Sequence, residues 1–164
     1  MKDRRAQRNK SNIAFLSTFV GQNIKAIKRE LYFFENELDK DSMGKFMITL
    51  RNNRSFVFKC DVDSESIHID NGSFESKERL MAECPQFKWT YSDFITADQL
   101  DNLGKIIDVR VEYSHMDDNS VQTGCSLFFE NKTFLHIWIF GSDSMFFELR
   151  PISIPENDVF IRTV

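Results

Sequence analysis

An internal repeat constrains the fold of this chain more than any other sequence feature. The pentapeptide VGQNI at residues 20–24 is echoed by LGKII at 103–107, which lies 83 residues later. A second match is longer: LRNN followed by SFVF, at 50–58, resembles FENK followed by TFLH, at 129–136. Such self-similarity identifies supersecondary units, because each copy of a repeat folds in the same way.

A third match keeps the same order along the chain. The polar segment DSES at 63–66 falls opposite GSDS at 141–144, at an offset of 78 residues. Chance can produce one such echo in a chain with 17 Phe residues, but three in the same order indicate a duplication. We therefore expect the units at 20–69 and 103–149 to have similar strand arrangements.

The second copy indicates what each unit folds into. Residues 106–113 (IIDVRVEY) alternate and are rich in β-branched side chains, which is typical of a strand. The equivalent segment 26–34 should then also be a strand, although its residues have moderate helical propensity. For the second copy we predict the following elements: a helix at 97–103 and strands at 106–115, 123–130, 133–140 and 144–150.

The fold class follows from the short connections between these strands. Parallel strands need crossovers of a dozen or more residues, so short loops favour antiparallel pairing. The sequence predicts an α+β fold, predominantly antiparallel β-sheet with a few short helices, in which a helix-strand-meander unit occurs twice. We expect residues 13–164 to form a single globular domain.

Residues 1–12 are predicted to be a flexible basic arm. Residues 1–10 carry five Lys or Arg against one Asp, which leaves a formal charge of −8 on the other 154 residues. No apolar periodicity precedes Ile13, so the arm can bury little apolar surface. That burial would not offset the conformational entropy that the arm loses when it becomes ordered. On this interpretation, deleting residues 2–9 should hardly change the melting temperature.

The composition favours a cytoplasmic protein with no membrane partner. No run approaches the roughly 18 apolar residues of a membrane span, and the segment after the first basic residues is too weakly apolar for a signal peptide. Cys60, Cys84 and Cys125 are an odd number without metal-ligand spacing. We expect reduced thiols, no metal and no cofactor.

The chain carries no recognisable catalytic motif. GxSxG, P-loop, HExxH and GxGxxG patterns are all absent, so we predict that the protein is not an enzyme. One alternative is a small hydrolase. Cys60 and His136 fall on equivalent strands of the two copies, where Asp61 or Asp63 could orient the histidine.

A second alternative is a nucleic-acid-associated protein that uses the basic arm. The acidic body makes a nucleic-acid partner unlikely, because it repels phosphate. Seventeen Phe residues could form stacking platforms, but the Phe pairs lie beside acidic residues, and core packing is the preferred interpretation. The basic residues of this alternative are Arg4, Arg5, Arg8 and Lys10.

Three carboxylate clusters contain the candidate partner-binding residues. Exposed loop carboxylates can pair with Arg and Lys of a basic protein, and they can equally be solvated turns. The segment DVDSE at 61–65 begins like a calcium loop but lacks the central Gly and the distant Glu. The candidates are Glu35, Glu37, Asp39, Asp41, Asp61, Asp63, Glu65, Asp117 and Asp118.

A family resemblance is carried by the Gly21 and Gly104 junctions and by the segment LFFENKTFLHI at 127–137, with its GSD turn at 141–143. This pattern resembles the small cytoplasmic immunity proteins of bacterial toxin systems, including those of contact-dependent growth inhibition. The resemblance implies a non-enzymatic protein that binds one cognate basic toxin domain, often a nuclease, and neutralises it. It specifies no oligomeric state.

Overall fold

The computed structural model describes residues 2–39, 44–61, 65–114, 121–139, 145–152 and 161–163. An N-terminal helix precedes two antiparallel sheets. The first half of the chain contains α1 (Lys2–Ser17), β1 (Ile24–Phe34), β2 (Glu37–Leu38), β3 (Phe46–Leu50), β4 (Ser55–Cys60) and β5 (Ile67–Asn71). The second half contains α2 (Glu78–Glu83), β6 (Phe87–Asp93), α3 (Ala97–Leu103), β7 (Ile106–Tyr113), β8 (Gln122–Phe129), β9 (Thr133–Ile139), β10 (Met145–Pro151) and β11 (Ile161–Thr163). Within these described ranges, no helix is both long and apolar enough to cross a bilayer.

The first sheet is arranged around β1, and the second has a simple strand order. On one side of β1, the first half of β1 pairs with β3 and its end pairs with β2. Strand β6 pairs with β1 along the other side. β4 and then β5 continue the sheet beyond β3. The second sheet has the order β10-β9-β8-β7-β11. All of these pairings are antiparallel, which confirms the predicted α+β class.

The two predicted copies have the same strand order. Helix α1 followed by β1-β3-β4-β5 corresponds to α3 followed by β7-β8-β9-β10. Even an irregularity recurs: the pairing register shifts between Ile24 and Ala26 in β1, and between Ile106 and Asp108 in β7. A bulge at the same place in both long strands is a feature of a shared backbone plan.

The junctions and turns of the two copies also agree. Gly21 and Gly104 both have positive φ, 81° and 74°, which favours glycine over residues with a Cβ. In the β3–β4 turn, the Asn52 side chain accepts a hydrogen bond from the backbone N–H two residues later at 3.0 Å, and Asn131 does the same in the β8–β9 turn at 3.0 Å. The repeated Asn therefore closes its turn with its own side chain.

A short backbone ladder joins the two copies. Asn23 and Lys105 form an isolated antiparallel bridge. Beside it, the Gly21 N–H donates to the Ile106 carbonyl at 2.7 Å, and the Ile106 N–H donates to the Gln22 carbonyl at 2.8 Å. The chain thus passes from each helix into its long strand alongside the equivalent segment of the other copy.

One hydrophobic core is shared by both sheets. Phe46 of the first sheet stacks on Phe58 at 4.7 Å between ring centroids and contacts Phe147 of the second sheet at 5.1 Å. Fully burying a side chain of this kind contributes about 1.5–3 kcal/mol. Buried residues of the core include Ile27, Ile48, Phe56, Ile69, Val109, Cys125, Leu127, Phe129, Leu135 and Ile137. Buried residues of both copies therefore belong to the same core cluster.

Residues Lys2–Ser17 form helix α1, whereas the sequence predicted a flexible arm for residues 1–12. Helix α1 begins at Lys2, and the apolar residues Leu16 and Phe19, at its end and just after it, are buried in the core. Its polar first turns are held by ionic contacts with residues far along the chain, such as Arg8 with Asp61. A search for local apolar periodicity does not detect contacts of this kind.

Asn12 of α1 satisfies the open edge of β5. Its side-chain amide donates to the Ile67 carbonyl at 2.9 Å, and its side-chain oxygen accepts from the Ile69 N–H at 3.0 Å. The same amide donates to Gln122 of the second sheet at 2.8 Å. Asn12 is fully buried, so this one side chain links α1 to both sheets.

Replacing Asn12 with Ala should lower the free energy of unfolding by about 2–4 kcal/mol, because it removes the partners of the Ile67 carbonyl, the Ile69 N–H and the Gln122 Oε1 in the interior. Urea denaturation measures the loss. The matched control is Asn102→Ala on the exposed surface of α3, which should change stability by less than about 0.5 kcal/mol. Equal midpoints for the two variants would show that the Asn12 hydrogen bonds are dispensable.

Candidate protein-binding surface

The structure separates the predicted carboxylates into two groups. Glu35, Glu37 and Asp39 lie at the β1–β2 hairpin, and Asp61 and Glu65 lie beside α1. The remaining four candidates, Asp41, Asp63, Asp117 and Asp118, lie outside the described residues, as does His115.

Asp61 and Glu65 contact basic residues of α1. Asp61 is only 8% exposed and forms an ion pair with Arg8, whose guanidinium also donates to the Ser66 hydroxyl at 3.1 Å. A Glu65 oxygen lies 3.7 Å from a guanidinium nitrogen of Arg5. Asp61 thus anchors the helix at a buried site, whereas Glu65 makes a weaker, exposed contact. Together they engage two of the four cations that the nucleic-acid alternative requires.

The Asp61 contact extends into a chain of ionic groups on β4 and β5. The two ring nitrogens of His68 face carboxylates: Nδ1 lies 3.6 Å from Asp61, and Nε2 lies 2.8 Å from Asp70. Asp70 in turn lies 2.5 Å from the Lys59 ammonium. Burial acts to raise the pKa of Asp70, but the Lys59 hydrogen bond and the charges of His68 and Lys59 outweigh it and hold that pKa below its ordinary value of 3.8.

His68 and His136 are both engaged with carboxylates. A cavity of about 530 Å³ beside β5 is lined by His68, Lys59 and Asp70, and Cys60 is not among its described lining residues. His136 lies on the second sheet, where its Nε2 is 2.8 and 3.0 Å from the Glu112 oxygens. Among the described residues, no three His, Cys, Asp or Glu side chains lie close enough to hold a metal ion.

The β1–β2 hairpin exposes Glu35 and Glu37. Its two-residue loop, Glu35 and Asn36, has positive φ at both positions (49° and 67°), as in a type I′ turn, whose twist matches that of the flanking strands. The Glu35 N–H donates to the Gln86 carbonyl at 2.9 Å, which ties the turn to the start of β6. In the described part of the chain, neither carboxylate forms an ion pair.

Aromatic side chains lie next to these carboxylates on one face of β1 and β6. Phe34 is opposite Glu37 on β2 and opposite Phe87 on β6, while Tyr32 is opposite Trp89. Ring centroids are 5.4 Å apart for Phe34 and Phe87, and 5.2 Å apart for Tyr32 and Trp89. Phe34 remains 44% exposed. We call the surface formed by Tyr32, Phe34, Glu35, Glu37, Phe87 and Trp89 the aromatic ribbon.

Two of the four rings of this surface, Phe87 and Trp89, lie on a strand that was not anticipated from the sequence. Strand β6 lies between the two repeated units, where the repeat gives no guidance, and neither β6 nor α2 was predicted. The signal was nevertheless present, because Phe87, Trp89 and Tyr91 alternate with polar residues in FKWTYSD. A period of two with aromatics is the pattern of a strand with one apolar face.

Neither protein-family models, nor characterised proteins, nor solved structures give a match to this chain.

Acid should destabilise the protein partly through Asp70. Because the folded-state pKa of Asp70 is depressed, its contribution to stability is present above about pH 4 and is lost as the pH falls through the folded value. The urea midpoint of Asp70→Asn should therefore fall less steeply than that of the wild type below about pH 4. Glu37→Gln, which removes a carboxylate with no ion pair in the described chain, should retain the wild-type slope. Identical slopes for all three proteins would contradict the role given to Asp70.

Proposed function

We propose that this protein is a non-enzymatic binding module, and that it acts in the cytoplasm as an immunity protein that binds and neutralises a cognate basic toxin domain. The observation that carries the proposal is the aromatic ribbon, where one exposed and three half-buried aromatic rings lie beside two carboxylates that form no ion pair in the described chain. The family resemblance of the sequence to bacterial immunity proteins supports the class of partner.

The rings supply the kind of surface on which protein partners bind tightly. Binding energy at interfaces concentrates in a few large aromatic or Arg side chains surrounded by polar groups that exclude water. On the ribbon, the rings of Tyr32, Phe34, Phe87 and Trp89 lie within 6.1 Å of a neighbouring ring, between centroids. Such a cluster is largely ordered before binding, so less side-chain entropy is lost on association.

The negative charge of the molecule favours a partner of positive charge. The whole chain has a formal net charge of −4, and the carboxylates of the ribbon add a local negative potential beside the rings. Complementary potentials accelerate diffusional encounter and disfavour partners of the wrong sign. A basic toxin domain, such as a nuclease with a phosphate-binding site, has the complementary charge.

The double variant Glu35→Gln/Glu37→Gln should slow association with the toxin about five- to tenfold at low salt, because steering is lost, and the difference should shrink as salt screens the charges. The candidate toxin is the product of a basic reading frame next to the gene. Stopped-flow mixing of the purified proteins gives the association rates, and survival of cells that co-express both proteins reports neutralisation.

The matched control is Asp98→Asn/Asp101→Asn. It removes the same charge from α3, which contacts the first sheet near Lys25 and Arg51, at the opposite end of β1. Equal slowing in both double variants would show an effect of net charge alone and would place the interface elsewhere. If the wild type binds no neighbouring gene product, the immunity function is wrong.

A further inference from the structure

We infer that the Phe34 end of the aromatic ribbon is a seat for one arginine side chain of the partner, stacked on Phe34 and Phe87 and paired with Glu37. The inference rests on the proposed function, since it names the group through which a basic partner would anchor. It is argued from a cation that the protein already holds on the same face.

Lys77 provides the internal precedent. Its ammonium lies 5.9 Å from the centroid of the Trp89 ring and 3.9 Å from a carboxylate oxygen of Glu30. Glu30, Tyr32 and Phe34 alternate along β1 and therefore share one face of the strand, opposite Tyr91, Trp89 and Phe87 of β6. A ring and a carboxylate on this face thus already bind one cation from the segment before α2.

The same combination recurs at the end of the strand. Glu37, Phe34 and Phe87 form one row across β2, β1 and β6, so the carboxylate and the two rings lie side by side. No described Lys or Arg lies over these two rings. Lys88, which neighbours Phe87 in sequence, is opposite Phe33 and so projects from the other face.

The geometry favours arginine over lysine. A guanidinium is planar, so it can stack on an aromatic face while its N–H groups donate to a carboxylate, whereas an ammonium acts as a point charge. Further in on this face, Trp89 already has the Lys77 ammonium over its ring, and Tyr91, although 43% exposed, already stacks on Phe74 at 4.6 Å. Within the row, Phe34 is 44% exposed and Glu37 is exposed beside it, so a partner can reach both the ring and the carboxylate.

The test is a titration of the full chain with three hexapeptides, hexa-arginine, hexa-lysine and hexa-citrulline, followed by backbone amide NMR at low salt. Hexa-arginine should shift the amides of Phe34, Glu37 and Phe87, hexa-lysine should bind more weakly, and hexa-citrulline, which is uncharged, should cause no shift. Phe34→Leu and Glu37→Gln should each weaken hexa-arginine binding several-fold, as expected for the loss of a cation–π contact or an exposed ion pair.

Two controls make the result decisive. Glu35→Gln removes the same charge from the turn, outside the row that Glu37, Phe34 and Phe87 form. It should weaken binding less than Glu37→Gln does. Phe33→Leu changes a ring on the opposite face and should leave binding unchanged. The inference is overturned if Glu35→Gln and Glu37→Gln have equal effects, or if the shifts lie outside the ribbon.

The same variants separate this inference from the proposed function. A toxin that is neutralised equally well by the wild type and by Phe34→Leu would overturn the arginine seat and leave the immunity function standing. If hexa-arginine binds at the row but no neighbouring gene product is neutralised, the arginine seat is supported and the proposed immunity function is wrong.

Discussion

The fold depends on how the open edge of β5 is satisfied. A sheet edge presents backbone N–H and C=O groups. Burying them without hydrogen-bond partners costs more free energy than most side-chain contacts contribute. Asn12 meets this constraint because its amide carries both a donor and an acceptor, as a peptide group does, and a second donor remains for Gln122. An Ala or Leu at this position could fill the space but could not pair with the strand. Asn12 therefore fixes α1 against β5, where the Arg8–Asp61 ion pair and the buried Leu16 and Phe19 also hold the helix.

The candidate binding surface arises where the two copies differ. The long strand of the first copy, β1, has 11 residues, and its counterpart β7 has 8. Beyond the segment that pairs with β3, β1 needs new neighbours on both sides, and β2 and the inserted β6 supply them. The added three-stranded segment has one aromatic face, of which α2 and the segment before it cover only part. A duplicated scaffold thus supplies the core, and an insertion between the copies supplies the surface that can vary.

The sequence predicted the repeated part of the fold well and the inserted part poorly. Predicted and observed bounds of the second copy agree within two residues, because its strands alternate clearly and its helix is followed by a glycine. The helical propensity of residues 26–34 gave the wrong local signal, and only the comparison with 106–113 corrected it. For the candidate site, the exposure of Glu35 and Glu37 followed from a polar turn, whereas the burial of Asp61 depends on Arg8, more than 50 residues away. Local pattern carries no information on a pairing of that kind.

The long separation between Asn12 and Gln122 also has a consequence for synthesis of the chain. The two residues are 110 positions apart, so at about 5–20 residues per second a ribosome needs roughly 5–20 s to produce the second after the first. During that interval β5 can be completed and can meet α1, but the bond from α1 to the second sheet does not yet exist. Until the second copy emerges, the nascent first copy must therefore avoid aggregating with other chains through its apolar sheet face and its strand edge. Having the edge-capping residue in a helix that is made before β5 shortens the time for which the β5 edge is open.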